Sequence, residues 1–405
     1  MQKQKWIIIG GGAAGLTAAI TLSRAGEKVL LLEQNNRAGK KLLATGNGRC
    51  NLTNRTVSAA HFHSHDPAFV AAALAGHGTE RVERFFEELG LPLVEGKAGQ
   101  LFPLSLQAST VVEMLLHAAQ RAGVTIQTET TITGIVRNEE GFTVRSADHS
   151  WHAEQIVLAA GSPAAPQLGG GMGGLELAQR LGHTVHPPHP ALVQLESDAP
   201  WLKHIAGVKT EGIARLHANG EPVAEQRGDL LFTPYGISGL AILDLSRAAS
   251  LALSEGAWCQ LKLDLLPRFT KEQLTQLLLR RIDPVSDKPI ALWLSAFLPK
   301  KLIPILLEQA KCTAKSEREL GRKQINRLAH GIRNFTLPIT DTHGFKHAEV
   351  ATGGVDVSEV DPVTMGSRIV PGLYFGGEIL DVVGDRGGYN LHWAWVTGLK
   401  AGNYL

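Results

Sequence analysis

The sequence predicts an α/β protein in which a Rossmann-like domain is interrupted by an inserted β-rich module and a helical subdomain. Three observations support this prediction. The N-terminus reads as strand, glycine turn, helix, strand and acid in that order. Short alternating strands begin near residue 191, and residues 270–330 show the leucine spacing of helices. Residues 372–395 then return to a strand, glycines and a helix start.

These changes of pattern set the predicted domain boundaries. The Rossmann-like domain is discontinuous because its two parts lie at opposite ends of the chain. The boundaries are 1–190 and 351–405 for this domain, 191–265 for the β-rich module, 266–332 for the helical subinsert, and 333–350 for a return strand of the module.

The N-terminal segment predicts a dinucleotide site. Gly10, Gly12 and Gly15 fit G-x-G-x-x-G between an apolar strand and a helix of small residues. The first glycine permits the tight turn, the second lets backbone approach a pyrophosphate, and the third lets helix and strand pack closely. The free N–H groups of the helix receive the phosphate charge. Glu33, at the end of the second strand, can accept hydrogen bonds from ribose hydroxyls. A structural βαβ turn that binds nothing remains the alternative.

A second glycine-rich loop follows at residues 39–51, with three glycines and three cations where a short turn would suffice. It is typical of another backbone cradle, with Lys or Arg near phosphate or the edge of a flavin. The alternative is a solvated surface loop. The strand Gln155–Leu158 also ends in small residues, where backbone can lie against a cofactor.

The C-terminal segment adds a third candidate cradle. A strand ends in Gly377 and Glu378, and Gly388 opens a helix. The positive end of that helix would stabilise the negative charge of a reduced flavin. NAD needs only the first cradle, whereas an isoalloxazine ring needs further walls, so the predicted cofactor is FAD.

Residues 169–174 also match the glycine spacing, as a second NAD(P) domain would. We interpret them instead as a glycine turn leading into a helix over 175–181. Residues 162–167 before them are not a predicted strand. About 20 residues further on, where the motif requires a strand ending in an acid, lies the proline-rich segment 186–190.

Composition excludes several classes of protein. The formal charge of +2 gives no electrostatic case for nucleic acid or an anionic membrane. Three widely spaced cysteines form neither a zinc ribbon nor a C-x-x-C dithiol. No stretch approaches the ~18 apolar residues of a membrane span, and glycines interrupt the N-terminal run that would resemble a secretion signal. The expected location is the cytoplasm.

Five motifs resemble the BaiN/YhiN-like family of bacterial FAD-dependent oxidoreductases. They are the N-terminal glycine fingerprint, TGNGRCNLTN at 45–54, LLFTPYGISG at 230–239, ATGGV at 351–355 and GLYFGGEILDVVGDRGGYNLHWAW at 372–395. The resemblance implies non-covalently bound FAD, a discontinuous FAD domain, an inserted β-barrel and a helical lid. Similar proteins usually carry His at the position of Pro234 and Pro at that of Leu240, which puts the substrate in doubt.

The motifs and the resemblance together predict the site residues. The expected cofactor contacts are Gly10, Gly12, Ala13, Ala14, Gly15, Glu33, Gln34, Lys40, Lys41, Thr45, Gly46, Gly48, Arg49, Cys50, Asn51, Ile132, Ala160, Gly161, Gly377, Glu378, Gly388, Tyr389, Asn390 and Leu391. No catalytic residue is identified, and the candidates are Tyr235, Tyr389 and His392. Cys50 is either reactive or a small packing residue.

Three histidines form an H-x-H-x-H run at residues 61–65. Imidazoles bind transition metals, but no acid or cysteine cluster accompanies them in the sequence. A solvated loop and no metal site are therefore expected.

The predicted function is hydride transfer between a small organic substrate and FAD, with NAD(P)H or oxygen as candidate electron partner. Two alternatives remain. One is a dehydrogenase that uses NAD(P) in the N-terminal site. The other is a flavin-binding protein without catalysis, whose basic helical insert binds a partner such as RNA. Neither nucleic acid nor a membrane is an expected partner.

Overall fold

The computed structural model describes residues 2–402. They divide into two compact units, each with its own hydrophobic core. The first unit runs to Pro188 and resumes at Val350, and the second comprises His189–Glu349.

The N-terminal part of the first unit begins with the strand–helix–strand segment that the sequence predicts. Its strands are β1 (Gln2–Ile9), β2 (Val29–Leu32), β3 (Thr53–Asn54), β4 (Phe62–His63), β5 (Leu93–Glu95), β6 (Gln100–Pro103), β7 (Thr125–Gln127), β8 (Gly134–Asn138), β9 (Gly141–Arg145) and β10 (Ser150–Leu158). Its helices are α1 (Ala13–Arg24), α2 (Pro67–Leu74), α3 (Thr79–Glu88), α4 (Ala108–Ala122) and α5 (Gly173–Arg180). The start of α2 follows from its sequence, because Asp66 caps two backbone N–H groups and Pro67 occupies the first turn.

Strand β11 (Val185–Ala191) begins in the first unit, and the second unit starts within it. Its strands are β12 (Leu195–Glu196), β13 (Lys209–Ala218), β14 (Glu221–Thr233), β15 (Gly236–Ser238), β16 (Cys259–Asp264), β17 (Phe335–Ile339) and β18 (Asp341–Thr342). Its helices are α6 (Leu202–Ile205), α7 (Leu240–Ser254), α8 (Lys271–Arg280), α9 (Ile290–Leu294), α10 (Ile303–Gln309) and α11 (Arg322–Arg333). The strands form a seven-stranded antiparallel sheet in the order β17-β16-β13-β14-β15-β12-β18.

The chain then returns to the first unit with β19 (Val350–Val355), β20 (Leu373–Phe375), β21 (Val383–Gly384) and α12 (Tyr389–Gly402). Strands β7, β2, β1 and β10 lie side by side and parallel, and β20 adds to β10 in the same direction. The residues of β2 are all buried, which explains its continuous apolar run. The carboxyl ends of β1, β10 and β20 therefore meet at one edge of the sheet.

One feature differs from the sequence-based interpretation. Residues 186–190, interpreted as lying outside any strand, belong to β11, which pairs with β19 in a two-stranded sheet. That interpretation was wrong because a strand with one partner can hold prolines, which cannot donate backbone hydrogen bonds, on its unpaired side. The glycine turn at 169–174 does lead into α5, and no strand covers residues 162–167, as predicted.

No helix among the described residues is both long enough and apolar enough to cross a membrane.

Candidate functional site

The turn between β1 and α1 is shaped to receive a phosphate. Gly10 has a positive φ of 103°, and a Cβ there would collide with the carbonyl oxygen of Ala159. A Cβ on Gly15 would collide with the carbonyl oxygen of Gly10, so this glycine lets α1 pack on the turn. By contrast, no atom lies within 4 Å of a Cβ built on Gly12. Of these three glycines, only Gly12 therefore leaves open space in which a ligand can approach the backbone.

Helix α1 leaves its first N–H groups available at this opening. Gly12 is the N-cap residue, no side chain caps the helix, and the first turn carries no acid. Uncapped N–H groups and the positive end of the helix dipole together favour an anion. Ala13 and Ala14 occupy this first turn.

Glu33 lies beside the same turn with a buried carboxylate. Its Oε2 accepts a hydrogen bond from Gly11 N at 2.6 Å, and its Oε1 accepts from Asn35 N at 2.8 Å and Asn35 Nδ2 at 2.7 Å. These bonds fix the carboxylate and leave one lone pair, on Oε2, for a ribose hydroxyl. The neighbouring Gln34 donates to Gly169 O at 2.6 Å, which ties the end of β2 to the glycine turn before α5.

The second glycine loop contains a run of left-handed backbone. Gly46, Asn47 and Gly48 all have positive φ, and so does Cys50. A Cβ on Gly46 would come within 2.9 Å of Asn51 N. Asn51 Oδ1 is buried and has no hydrogen-bond partner among the described residues. A buried polar atom without a partner is costly, so it marks a position that a ligand donor can satisfy.

The C-terminal segment meets this loop. A Cβ on Gly388 would lie 2.9 Å from Asn51 Oδ1 and 2.6 Å from Thr53 O. Asn390, in the first turn of α12, accepts from Gly384 N at 2.8 Å and donates to Gly384 O at 2.7 Å. The start of α12 and the second loop therefore form one wall, although more than 330 residues separate them in sequence.

Glu378 links a third segment to this wall. Its Oε2 pairs with Lys41 Nζ at 2.7 Å, and its Oε1 accepts from Ala351 N at 3.0 Å. The adjacent Gly377 packs on α1, because a Cβ there would lie 3.0 Å from the Cβ of Ala14. The structure thus brings the N-terminal glycines and the C-terminal segment together within the first unit.

The remaining predicted cofactor contacts differ in their burial and in the residues they contact. Gly161 has positive φ and open space around its Cβ position, and Ala160 packs against Gly174. Ile132 is buried in the core. Lys40 Nζ lies 3.4 Å from Asn35 Oδ1, and the Arg49 guanidinium lies 5.3 Å from the centre of the Phe102 ring. Thr45 Oγ1 donates to Leu42 O, and Leu391 is partly buried.

The contacts of His392 favour a structural role over proton donation. Its Nδ1 lies 2.8 Å from Thr53 Oγ1 and its Nε2 lies 3.1 Å from His77 O, so both ring nitrogens are occupied. The side chain is fully buried. Burial lowers the pKa of His392 from 6.5 to about 4. The ring therefore stays neutral and holds α12 to β3.

The other two catalytic candidates differ in exposure. The buried Tyr389 hydroxyl lies 2.9 Å from Thr56 Oγ1, and the ring of Tyr389 stacks on His61. Tyr235, in the second unit, is 36% exposed and stacks on His343 with the ring centres 4.1 Å apart. Only Tyr235 combines an aromatic face with access to solvent.

Cys50 is buried, and burial raises the pKa of its thiol to about 12. A thiol in this state is a poor nucleophile. These properties favour the packing role over the reactive one.

The H-x-H-x-H run has acidic partners that the sequence does not reveal. His61 Nδ1 and His63 Nε2 lie 3.3 Å and 2.8 Å from the carboxylate of Asp385, and His65 Nδ1 lies 2.6 Å from Asp381 Oδ2. The expectation of an unsupported solvated loop was wrong. Strand β4 pairs with β21, which brings together residues more than 300 positions apart, and no local sequence pattern signals such a pairing.

Comparison with known proteins places the chain in a family. Residues 4–404 match the HI0933-like protein Rossmann domain. The chain belongs to the HI0933-like family. Members of the HI0933-like family bind FAD, and the fit of the glycine turn and the unpaired Asn51 oxygen agrees with that cofactor. The predictions of FAD and of a flavin-dependent oxidoreductase are confirmed.

Two curated relatives match over nearly their whole length. The 3-dehydro-bile acid delta(4,6)-reductase of Clostridium scindens is 38% identical over 398 residues, covering 98% of this chain and 97% of that protein. The ribosomal RNA dihydrouridine synthase of Escherichia coli is 32% identical over 403 residues, covering 98% and 96%. Among solved structures, the open conformation of a flavocytochrome c3 fumarate reductase has a TM-score of 0.48 and 16% identity, covering 99% of this chain and 78% of that one.

Proposed function

We propose that this HI0933-like protein reduces a carbon–carbon double bond conjugated to a carbonyl group, using FAD held by the three glycine segments. In this arrangement the N-terminus of α1 holds the pyrophosphate and Glu33 the adenosine ribose. The second loop and the start of α12 flank the isoalloxazine. The observation that carries the proposal is the unpaired Asn51 Oδ1 beside Gly388, because it needs a donor that a flavin ring can supply.

The reaction class is supported by what the two curated relatives are named for. A delta(4,6)-reductase of a 3-dehydro-bile acid and a dihydrouridine synthase act on different molecules. In both, the double bond that is reduced is conjugated to a carbonyl, so a hydride added to its far carbon leaves a stabilised enolate. When bound, FAD supplies that hydride.

The cysteines support direct transfer between flavin and substrate. Cys50 and Cys259 are buried and Cys312 is partly buried, and none of the three is in a disulfide. Burial raises the pKa of both Cys50 and Cys259. A dithiol relay of the kind that disulfide reductases use therefore has no counterpart here.

A small organic substrate is the first candidate, and a uridine in RNA is the second. The second is favoured by a cleft of about 950 Å³ in the second unit, lined by Lys271, Lys311, Lys323 and Arg327 and by a single acid, Asp198. This basic cleft concentrates positive charge that the net charge of the whole chain conceals, and phosphate backbones bind to such clusters.

One anaerobic experiment tests the proposed function and separates the two substrates. FAD-loaded protein is reduced with dithionite and mixed with 2-cyclohexen-1-one, with a 3-oxo-Δ4 bile acid, or with a uridine-containing RNA hairpin. We expect flavin absorbance to return with at least one of them, together with a saturated product. Reoxidation by none of these, but by oxygen alone, would contradict the proposal.

The RNA candidate needs its own control. Lys323→Glu with Arg327→Glu should abolish reoxidation by RNA and leave reoxidation by the small enones unchanged. Arg318→Glu, which removes an exposed cation paired with Asp287, serves as the matched charge control.

A further inference from the structure

Two acid–histidine pairs lie face to face in the first unit. His65 Nδ1 is 2.6 Å from Asp381 Oδ2, and His186 Nε2 is 3.3 Å from Asp356 Oδ2. The two imidazole rings stack with their centres 3.9 Å apart and their planes within 13°. The Asp381 side chain is 3% exposed, whereas the His65 side chain is 63% exposed. A buried carboxylate thus holds one nitrogen of a ring that reaches solvent.

The pair is attached to the candidate flavin site by the backbone. Asp381 N donates to Val355 O at 2.9 Å, and Asp381 Oδ2 also accepts from His65 N at 3.0 Å. The segment from Asp381 to Asp385 joins the Gly377–Ile379 turn to the start of α12, and Asn390 fixes it through Gly384. His65 is therefore held by the loop that connects the two C-terminal cradle segments.

A metal ion is the obvious alternative, since donor atoms of His65, His186 and Asp381 lie within 4.8 Å of one another. The stacking argues against it. The lone pair of an imidazole nitrogen lies in the ring plane, so an ion shared by two nearly parallel stacked rings would lie well out of at least one plane. The geometry fits a hydrogen-bonded ring instead, because the Asp381 carboxylate accepts a hydrogen bond from His65 Nδ1 at 2.6 Å.

We propose that His65 is the proton donor of the reduction and that Asp381 is its positioning residue. This inference rests on the proposed function. Bound reduced FAD would supply a hydride to the carbon far from the substrate carbonyl, and the π electron pair would then form an enolate. His65 Nε2 gives its proton to the carbon next to the carbonyl, and the neutral ring regains a proton from solvent. The two electrons would come from a reduced nicotinamide, NAD(P)H, that reduces FAD beforehand.

The geometry distinguishes His65 from the two buried candidates near the cradles, His392 and Tyr389. His392 and Tyr389 are buried and hydrogen-bonded. Among the described residues, no hydrogen bond occupies His65 Nε2, while Nδ1–H donates to the carboxylate. A carboxylate behind one nitrogen fixes the tautomer and leaves the other nitrogen directed away, the arrangement that general acids use. The charged groups around this ring are Asp381, the stacked His186 and, through it, Asp356.

The test separates the two half-reactions in a stopped-flow spectrometer. His65→Gln, Asp381→Asn and a control, His149→Gln, are loaded with FAD, reduced with dithionite and mixed anaerobically with the enone that reoxidises the wild type. We expect His65→Gln to slow reoxidation by about 10²–10⁴-fold, the usual contribution of a general acid. FAD content and the rate of reduction by dithionite should stay unchanged in every variant.

Asp381→Asn should give a smaller loss than His65→Gln, because it weakens only the hydrogen bonds that hold the ring. Asp381→Glu keeps a carboxylate and should recover part of the rate. His149→Gln, a change on an exposed ring that stacks on Trp151, should match the wild type.

The outcomes separate the assignment of His65 as proton donor from the proposed function. If the wild type reacts with an enone and His65→Gln reacts within threefold of its rate, the assignment of His65 is overturned and the proposed function stands. If the reduced wild type reacts with no enone and no RNA, both fall. An Asp381→Glu variant as slow as Asp381→Asn would reject the positioning role of Asp381.

Discussion

Lys41 Nζ and Glu378 Oε2 form an ion pair of 2.7 Å across 337 positions of sequence. Lys41 lies in the second glycine loop, and Glu378 follows the last parallel strand. Both side chains are partly exposed, at 32% and 20%. Exposed ion pairs contribute little to the free energy of folding. The main effect of this pair is therefore to fix the relative position of two segments that we propose to contact FAD.

Glu378→Gln should consequently weaken cofactor binding more than folding. We expect the FAD dissociation constant to rise about tenfold, since one charge-assisted contact is lost, with the melting temperature of the apoprotein unchanged within 2–3 °C, about the shift of a sub-kcal/mol effect. Equilibrium dialysis and calorimetry measure the two quantities. A large loss of apoprotein stability with normal FAD affinity would mean that Glu378 acts in folding.

The glycines of the first turn offer a matched pair of substitutions. Gly12→Ala adds a methyl group to open space, so the apoprotein should melt like the wild type but fail to retain FAD. Gly15→Ala pushes the same group into the Gly10 carbonyl and should destabilise the apoprotein by about 1–3 kcal/mol, as overpacking does. Urea unfolding of the two apoproteins makes the comparison. Equal stabilities would show that the turn relaxes around residue 15.

Glu33→Ala should weaken FAD binding by about 1.5–3 kcal/mol, the usual contribution of a charged hydrogen bond. Because its carboxylate also holds Gly11 and Asn35, some loss of stability should accompany this change. Glu33→Gln keeps an acceptor and should lose less affinity, while Glu139→Ala, at an exposed position, should lose none. FAD retained equally by Glu33→Ala and the wild type would refute the ribose assignment.

His392 should make folding sensitive to mild acid. Burial lowers its folded-state pKa to about 4, below the unfolded value of 6.5. As pH falls from 6.5 to 4, the unfolded state takes up a proton that the folded state does not, so stability declines over that window and levels off below it. The loss from this one group is on the order of a few kcal/mol. NMR of the imidazole at pH 5.5 should show a neutral ring, and a protonated one would contradict the assignment.

Cys50 should resist thiol reagents in the folded protein. With a pKa of about 12, its thiolate fraction at pH 8 is about one part in ten thousand, and the side chain is buried. The partly buried Cys312 should react first. Mass spectrometry after brief labelling with iodoacetamide locates the modified residue. Labelling of Cys50 at the rate of Cys312 would favour the reactive interpretation.

Local patterns predicted much of the first unit. The predicted N-terminal order of strand, glycine turn, helix, strand and acid is found as β1, α1 and β2 followed by Glu33, because glycine spacing and apolar runs mark each part. Helix α7 (Leu240–Ser254) was missed within a segment interpreted as β-rich. Its sequence is apolar on most faces, so it lacks the clear periodicity that separates a buried helix from strands.

The sequence predicted those parts of the candidate site that depend on backbone conformation. The glycines that permit close approach are visible in the sequence because no other residue replaces them at such turns. The acids that hold the three histidines were not predicted, since Asp381 and Asp385 reach them only through the pairing of β4 with β21. Long-range partners of this kind follow from topology and leave no local signal.

Helix α12 packs along α1 so closely that a Cβ on Gly398 would lie 2.5 Å from Ala14 O. The first and last parts of the first unit thus complete each other, with the whole second unit between them in the chain. During synthesis, the opening turn emerges hundreds of residues before the helix that covers it. A nascent chain therefore carries an incomplete cofactor cradle until α12 has been made, and tight capture of FAD has to wait for that helix.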